Sequence, residues 1–251
     1  MFRGVAVALV TLFDAGGDVD APASAALAVQ LVDAGLAAVV VCGTTGEPFT
    51  LTDDERSSLL RAVRDAVGGR VPVIAGTGAQ SARQAVALTR RACEDGADAV
   101  LTLSPSGASD VRPYYEAVAG AAGTVPVLGY HFPNVSAPGI PVDVLPQLPI
   151  VGCKDSSGDP ARFLAELDVF DGALYTGSAA LLHTAGALGA AGAIVALANA
   201  EPELCVAAFA GDAHAQRAIA RPMAATAGRF PHGIKQLTAA RFGTSAAARL
   251  S

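Results

Sequence analysis

The chain has 251 residues, is 52% hydrophobic and has a mean hydropathy of +0.43, enough apolar material for one large domain or two small ones around a sizeable core. A net charge of −6, from 17 basic and 23 acidic residues, comes with no basic run and no tryptophan, which excludes a polyanion-binding surface and a nucleic-acid partner. Gly, Pro, Ser or a charge breaks every apolar run before the ~18 residues that a membrane span needs, so no membrane partner is expected.

The first residues, Met1 to Val7, are mildly signal-like, but polar Thr11 and Asp14 follow early and no small-residue cleavage site precedes a mature start. They read as the first strand of a cytoplasmic protein. Gly4–Leu12 forms that apolar run and ends at the turn Ala15-Gly16-Gly17-Asp18. Asp20, or the Ala21-Pro22 step, opens a helical pattern through Ala25, Leu27, Ala28, Leu31 and Val32 that closes at Ala34-Gly35. Ala37–Cys42 is the second apolar run, ending in Gly43-Thr44-Thr45-Gly46-Glu47. Thr52 and Glu55 have capping-box spacing at the start of the next helix.

The unit recurs at Val71–Ala75, which ends in Gly76-Thr77-Gly78 and precedes a helix over Ala82–Glu94 that stops at Asp95-Gly96. Ala99–Leu103 leads through Ser104-Pro105 to a helix over Tyr114–Ala122. Val125–Tyr130 ends in His131-Phe132-Pro133, and Ile150–Lys154 follows a short helical piece around Val142–Leu148. Asp159-Pro160 supplies an N-cap and a first-turn proline for the helix Ala161–Phe170. Ala173–Thr176 ends in Gly177-Ser178 before a helix over Leu181–Ala187, and Ala193–Leu197 is the last strand before the helix Pro202–Ala210.

Eight apolar runs, each followed by a helix, imply parallel strands joined by right-handed crossovers. Eight units in about 200 residues fit a single (β/α)8 TIM barrel over residues 1–210, with a short C-terminal helical segment over 211–251 packed on it. The strands are apolar throughout rather than alternating, as strands covered on both faces should be. A doubly wound open sheet is the alternative, but Gly76-Thr77-Gly78 is followed by Ala79-Gln80-Ser81 and the third glycine of G-x-G-x-x-G is missing.

Barrel active sites lie at the C-terminal ends of the strands. Thr44, Thr45, Tyr130 and Lys154 all fall there; Thr77 and Ser178 do too, but as ordinary turn or capping residues. Lys154 is one of only two lysines, against fifteen arginines, so lysine is not the general surface cation of this chain. Desolvation at the mouth of an apolar barrel disfavours an ammonium and favours the neutral amine, which attacks carbonyls. Tyr130 closes the strand before Lys154. If the two strands pair, backbones ~4.8 Å apart bring phenol and amine to one substrate, where the phenol can shuttle protons. The turn Thr44-Thr45-Gly46 offers hydroxyls and backbone N–H groups to a carboxylate. Cys42, Cys93, Cys153 and Cys205 read as buried thiols, and His131, His183, His214 and His232 form no ligand pair, so neither a metal nor a cofactor is expected.

Three ordered segments, Gly43-Thr44-Thr45-Gly46-Glu47, Tyr130-His131-Phe132-Pro133 and Gly152-Cys153-Lys154-Asp155-Ser156-Ser157-Gly158-Asp159, resemble the signatures of the dihydrodipicolinate synthase / N-acetylneuraminate lyase family. The likeness extends over residues 4–212, including Gly76-Thr77-Gly78 and Gly189, Gly192, Asn199 and Pro202-Glu203-Leu204. It implies a Schiff-base aldolase or lyase whose partners are pyruvate, or another 2-oxo acid, and an aldehyde. It further implies that Lys154 forms the imine, Tyr130 relays protons, Thr44 joins the hydroxyl relay, Thr45 binds the carboxylate, and Gly177 and Ile194 present backbone to the site. Lys235 has no corresponding role.

Departures from the family pattern bear on the second substrate. Val135 stands where dihydrodipicolinate synthases place an arginine for the aldehyde's carboxylate, and Ser106-Gly107-Ala108 replaces a tyrosine pair. Tyr114, Tyr115 or Arg112 are substitutes from the same loop, although packing on the helix surface accounts for the tyrosines. His131 either faces the site or sits in a solvent-exposed loop. The expected substrate is therefore a 4-hydroxy-2-oxo acid or a 2-oxo-3-deoxy sugar acid. The alternatives are dihydrodipicolinate synthase activity with aspartate semialdehyde and a catalytically weak 2-oxo-acid binder. The C-terminal segment is shorter than the extension that helps build the family tetramer, which leaves a homodimer or a homotetramer as the expected assembly.

Overall fold

The computed structural model describes residues 1–250. Its eight strands are β1 (Gly4–Ala8), β2 (Ala38–Val41), β3 (Val73–Gly76), β4 (Ala99–Leu103), β5 (Val127–His131), β6 (Gly152–Asp155), β7 (Ala173–Thr176) and β8 (Gly192–Val195). Each pairs in parallel with the next, and β8 pairs back on β1 with Ala6 opposite Ile194, so the sheet closes into a barrel rather than an open doubly wound sheet. A Cβ on Gly192 would collide with the Gly4 carbonyl oxygen, so glycine is what lets β8 close on β1.

The helices between strands are α1 (Ala21–Asp33), α2 (Asp53–Val67), α3 (Ala82–Glu94), α4 (Arg112–Ala122), α5 (Pro160–Val169) and α6 (Leu182–Ala187). Local chemistry sets their starts. Asp20 accepts from the Ala23 N–H at 2.9 Å to cap α1, Thr52 and Glu55 form the reciprocal capping box of α2, and Asp159 caps α5 ahead of Pro160. After β8 come α7 (Pro202–Phe209), α8 (Ala213–Ala218), α9 (Ala220–Thr226) and α10 (His232–Phe242). No helix among the described residues is long and apolar enough to cross a membrane.

Most differences from the expected strand limits have simple causes. β3 and β5 begin later than expected because Pro72 and Pro126 have no N–H to give to a ladder. β1 pairs only to Ala8, and beyond it side chains take over: the Val10 N–H donates to Asn199 Oδ1 at 3.0 Å and the Leu12 N–H to Ser24 Oγ at 3.0 Å. β2 stops before Cys42, whose φ of 55° is incompatible with a strand. The Val142–Leu148 piece shrinks to a single 3-10 turn over Leu145–Gln147.

Alternation along each strand sorts side chains into two layers. Ala6, Val40, Ile74, Leu101, Tyr130 and Tyr175 belong to the cluster inside the barrel, while Val7, Val41, Val100, Cys153, Leu174 and Val195 pack outward under the helices. This parity decides what reaches the barrel mouth. On β5 it is Tyr130 and not His131, and on β6 it is Lys154 and not Cys153 or Asp155.

Candidate active site

Tyr130 and Lys154 are register partners across β5 and β6, and the Lys154 Nζ lies 4.2 Å from the centre of the Tyr130 ring. Both are buried. They line a cavity of about 260 Å³ at the barrel mouth together with Thr44, Thr45, Ser156 and Gly177. Two phenylalanines form its apolar side. Phe132 stacks on Tyr130 with ring centres 5.8 Å apart, and Phe230, from the turn between α9 and α10, stands 48% exposed at the rim.

The Gly43–Glu47 segment leaves β2 as a 3-10 turn over Thr44–Gly46, closed by the Gly46 N–H on the Gly43 carbonyl at 2.8 Å and by Thr11 Oγ1 donating to the Gly46 carbonyl at 2.8 Å. Thr45 is buried and Thr44 half-buried. The hydroxyl partner recorded for Tyr130 is Ser156, whose Oγ donates to the phenol oxygen at 3.5 Å. Ser156 escaped the sequence reading, although its position two residues after Lys154 puts it on the same face of the chain. A Cβ on Gly177 would collide with Ser156 Oγ and lie 2.9 Å from Lys154 Cε, so only glycine leaves the lysine side chain its path.

Of the remaining strand-end and loop candidates, only Ser178 reaches the cavity. Ile194 is in the apolar cluster inside the barrel and does not line the cavity. Thr77 is buried in hydroxyl contacts with Thr102 and Thr89, at 3.0 and 3.1 Å, whereas Ser178 does line the cavity. Tyr114 and Tyr115 are core residues and not surface packing. Tyr115 donates to the Thr102 carbonyl at 2.9 Å and accepts the Tyr130 N–H at 3.4 Å, which steadies the Tyr130 backbone from behind. Ser106 and Gly107 are turned toward Gln80 and Ala137, and Arg112 binds Asp110 and Gln147.

His131 neither faces the cavity nor meets solvent. Its Nδ1 accepts the Ile140 N–H at 2.9 Å in the outer layer, and burial, with the nearby Arg162 guanidinium, pushes its pKa down to about 4. Beside it, Arg162 donates to Glu166 at 2.6 Å and lies 3.9 Å from Asp155. Burial, followed by the Asp155 charge, raises the Glu166 carboxyl to about 7. This cluster lies behind Lys154, outside the barrel wall. Cys42, Cys153 and Cys205 are buried and Cys93 is half-buried, all as free thiols. Among the described residues no group of three or more His, Cys, Asp or Glu side chains is placed to hold a metal ion.

The mouth of this barrel therefore combines an amine, a phenol, several hydroxyls and an aromatic wall, and Lys154 is the one charged side chain lining it among the described residues. The family model for the dihydrodipicolinate synthetase family matches residues 1–237. The chain is 40% identical to a 4-hydroxy-tetrahydrodipicolinate synthase of Pseudomonas aeruginosa over 233 residues, covering 87% of this chain and 80% of the relative. It is 38% identical to the enzyme of that name from Thioalkalivibrio sulfidiphilus, covering 87% and 79%. Among solved structures it superposes with a TM-score of 0.91 on YagE, an Escherichia coli K12 prophage protein of the dihydrodipicolinic acid synthase family in complex with pyruvate, at 27% identity over 99% of this chain and 91% of that one. With a dihydrodipicolinate synthase of Bacillus anthracis the TM-score is 0.87, at 32% identity over 98% and 91%.

Proposed function

The chain belongs to the dihydrodipicolinate synthetase family of Schiff-base carbon–carbon lyases and synthases, and from that premise we propose that it cleaves or forms 4-hydroxy-2-oxo acids, including 2-oxo-3-deoxy sugar acids, through a pyruvate imine on Lys154. In the condensing direction the neutral Lys154 amine attacks the C2 carbonyl of pyruvate, and the carbonyl oxygen leaves as water with uptake of one proton, giving the protonated imine. Loss of a proton from C3 yields the enamine, whose C3 attacks the aldehyde carbon while the aldehyde oxygen takes up a proton. Water then hydrolyses the product imine and restores the amine. Cleavage runs the same steps in reverse.

Tyr130, against the Lys154 Nζ and within reach of Ser156, is the group we assign to proton relay, with Thr44 as a further hydroxyl on the same cavity. The Thr44–Gly46 turn holds the pyruvate carboxylate, with Thr45 as its hydroxyl donor. Gly177 keeps the path of the lysine open, and Ile194 packs the floor of the barrel without lining the cavity.

The observation that carries this substrate preference is the cavity's charge. Val135 is 43% exposed and away from the cavity, and no guanidinium lines the mouth. A second carboxylate on the aldehyde would lose part of its hydration and gain no cation in return. A second reading, synthesis of 4-hydroxy-tetrahydrodipicolinate from pyruvate and aspartate semialdehyde, is favoured by the names of the relatives at 38–40% identity.

The test begins with pyruvate, borohydride and intact-protein mass. One reduced adduct is expected, and it should be lost in Lys154→Ala; no adduct, or one that survives the substitution, overturns the proposal. Pyruvate release is then followed over a panel of 2-oxo acids beside condensation with aspartate semialdehyde. Faster turnover of aspartate semialdehyde than of any 4-hydroxy-2-oxo acid would select the second reading. Trapping without turnover on either arm would leave a 2-oxo-acid binder.

A further inference from the structure

Lys235, the other lysine of the chain, has no solvent exposure, and neither has its partner Glu47. Burying two opposite charges is costly unless further hydrogen bonds satisfy both. Here they do. Lys235 Nζ contacts Glu47 Oε1, donates to the Ala247 carbonyl at 2.7 Å and lies 4.2 Å from the centre of the Phe13 ring. Glu47 Oε2 accepts the backbone N–H groups of Arg249 and Leu250, each at 2.8 Å.

Arg249 extends the attachment. Its guanidinium lies 4.6 Å from the Phe13 ring centre and donates to the carbonyls of Gly17 at 2.8 Å and Thr50 at 2.9 Å and to both oxygens of Glu55 at 2.5 and 3.0 Å. That contact holds the Glu55 carboxyl down at about 2. Residues 243–250, which have no regular secondary structure of their own, are thereby fastened to the loops that leave β1 and β2.

Glu47 directly follows the Thr44–Gly46 turn. Among the described residues it and Cys42 are the two non-glycine residues with positive φ, each at 55°, and they bracket the turn on both sides. A left-handed conformation is unfavourable for a non-glycine residue and persists only where surrounding contacts over-determine it. At Glu47 the backbone is held by hydrogen bonds with Thr44 and Thr50, and the side chain by the C-terminal segment.

We propose that Lys235 and Arg249 are positioning residues: through Glu47, the segment from α10 to Leu250 fixes the Thr44–Thr45 turn in the geometry that receives a substrate carboxylate. This rests on the reading of that turn as the carboxylate cradle. The same segment begins next to Phe230, so cradle and aromatic rim are anchored by one stretch of chain.

Two measurements test this on the full chain with Arg249→Gln, which removes a partly exposed group, and with the paired Lys235→Met, Glu47→Gln variant, which leaves no charge buried alone. The first is borohydride trapping as a function of concentration, with pyruvate and with acetone, which lacks the carboxylate. Half-saturation by pyruvate should rise about tenfold in the variants while that for acetone stays put. An equal change for both ketones, or none, overturns the proposal. The second is amide hydrogen exchange at Gly46 and Glu47, whose N–H groups close the turn on Gly43 and Thr44. It needs no bound substrate and so remains decisive if the wild type traps no pyruvate. Exchange at these amides should quicken at least tenfold in Arg249→Gln; unchanged protection overturns the proposal.

Discussion

The Lys154 Nζ sits against the face of the Tyr130 ring, 4.2 Å from its centre, because the two residues are register partners on adjacent parallel strands. The ring covers one side of the buried amine. Ring and hydroxyl can thus be tested apart, the ring for its packing against the amine and the hydroxyl for the proton relay proposed for it.

Tyr130→Phe separates them. The substitution keeps the ring over Nζ and removes the oxygen that accepts from Ser156. Adduct trapping with pyruvate should persist while turnover falls roughly 10²- to 10⁴-fold, the usual range for loss of a general acid–base group. Retention of wild-type turnover would remove Tyr130 from the relay.

Gly177→Ala probes the path of the lysine side chain. The new methyl group meets Ser156 Oγ and Lys154 Cε, which can swing aside, and Ser156 Cβ at 2.9 Å, which moves only with its backbone, so some loss of thermal midpoint should accompany the change in reactivity. Catalytic groups displaced by even 1 Å lose about 10²-fold in rate. A variant trapping pyruvate at the wild-type rate would show that the lysine does not need this space.

Phe230→Arg places a cation on the cavity rim. An exposed ion pair contributes up to about 1 kcal/mol, roughly fivefold in relative kcat/KM. Preference should move by that factor from neutral aldehydes toward carboxylate-bearing ones. An unchanged ratio would mean that Phe230 does not contact the second substrate.

His131 predicts an acid-side loss of stability. Its folded pKa of about 4 lies below the ~6.5 of the unfolded side chain, so the unfolded chain binds the proton more tightly. The contribution of neutral His131 is complete above pH ~6.5 and is lost as the pH falls through about 4. His131→Gln should flatten the urea midpoint across that window; an identical slope in both proteins would refute this.

Asn199 is the polar seam between the two ends of the barrel. Its amide accepts the Val10 N–H at 3.0 Å and donates to the carbonyls of Ala8 at 2.7 Å and Ala196 at 2.8 Å. Asn199→Ala strands a buried backbone donor and should cost about 2–4 kcal/mol in urea unfolding. A loss below about 0.5 kcal/mol would show that water or a rearranged backbone replaces the amide.

What could be read from the residues alone was whatever is encoded locally. The eight strands and the helices that follow seven of them, the caps at Asp20, Thr52 and Asp159, and the place of Tyr130, Lys154 and the Thr44–Thr45 turn at strand ends all follow from patterns a few residues long. Closure was an inference from the count of units, confirmed by the pairing of β1 with β8. Side-chain direction was less legible, since it requires the strand's parity: His131 points outward, Tyr114 and Tyr115 are core, and Ser156 rather than a loop tyrosine meets the Tyr130 hydroxyl. The partnership of Glu47 with Lys235 and Arg249 belongs to the tertiary structure alone. It joins residues about 200 apart in the chain, and a pair so distant leaves no periodicity, spacing or cap by which either partner announces the other.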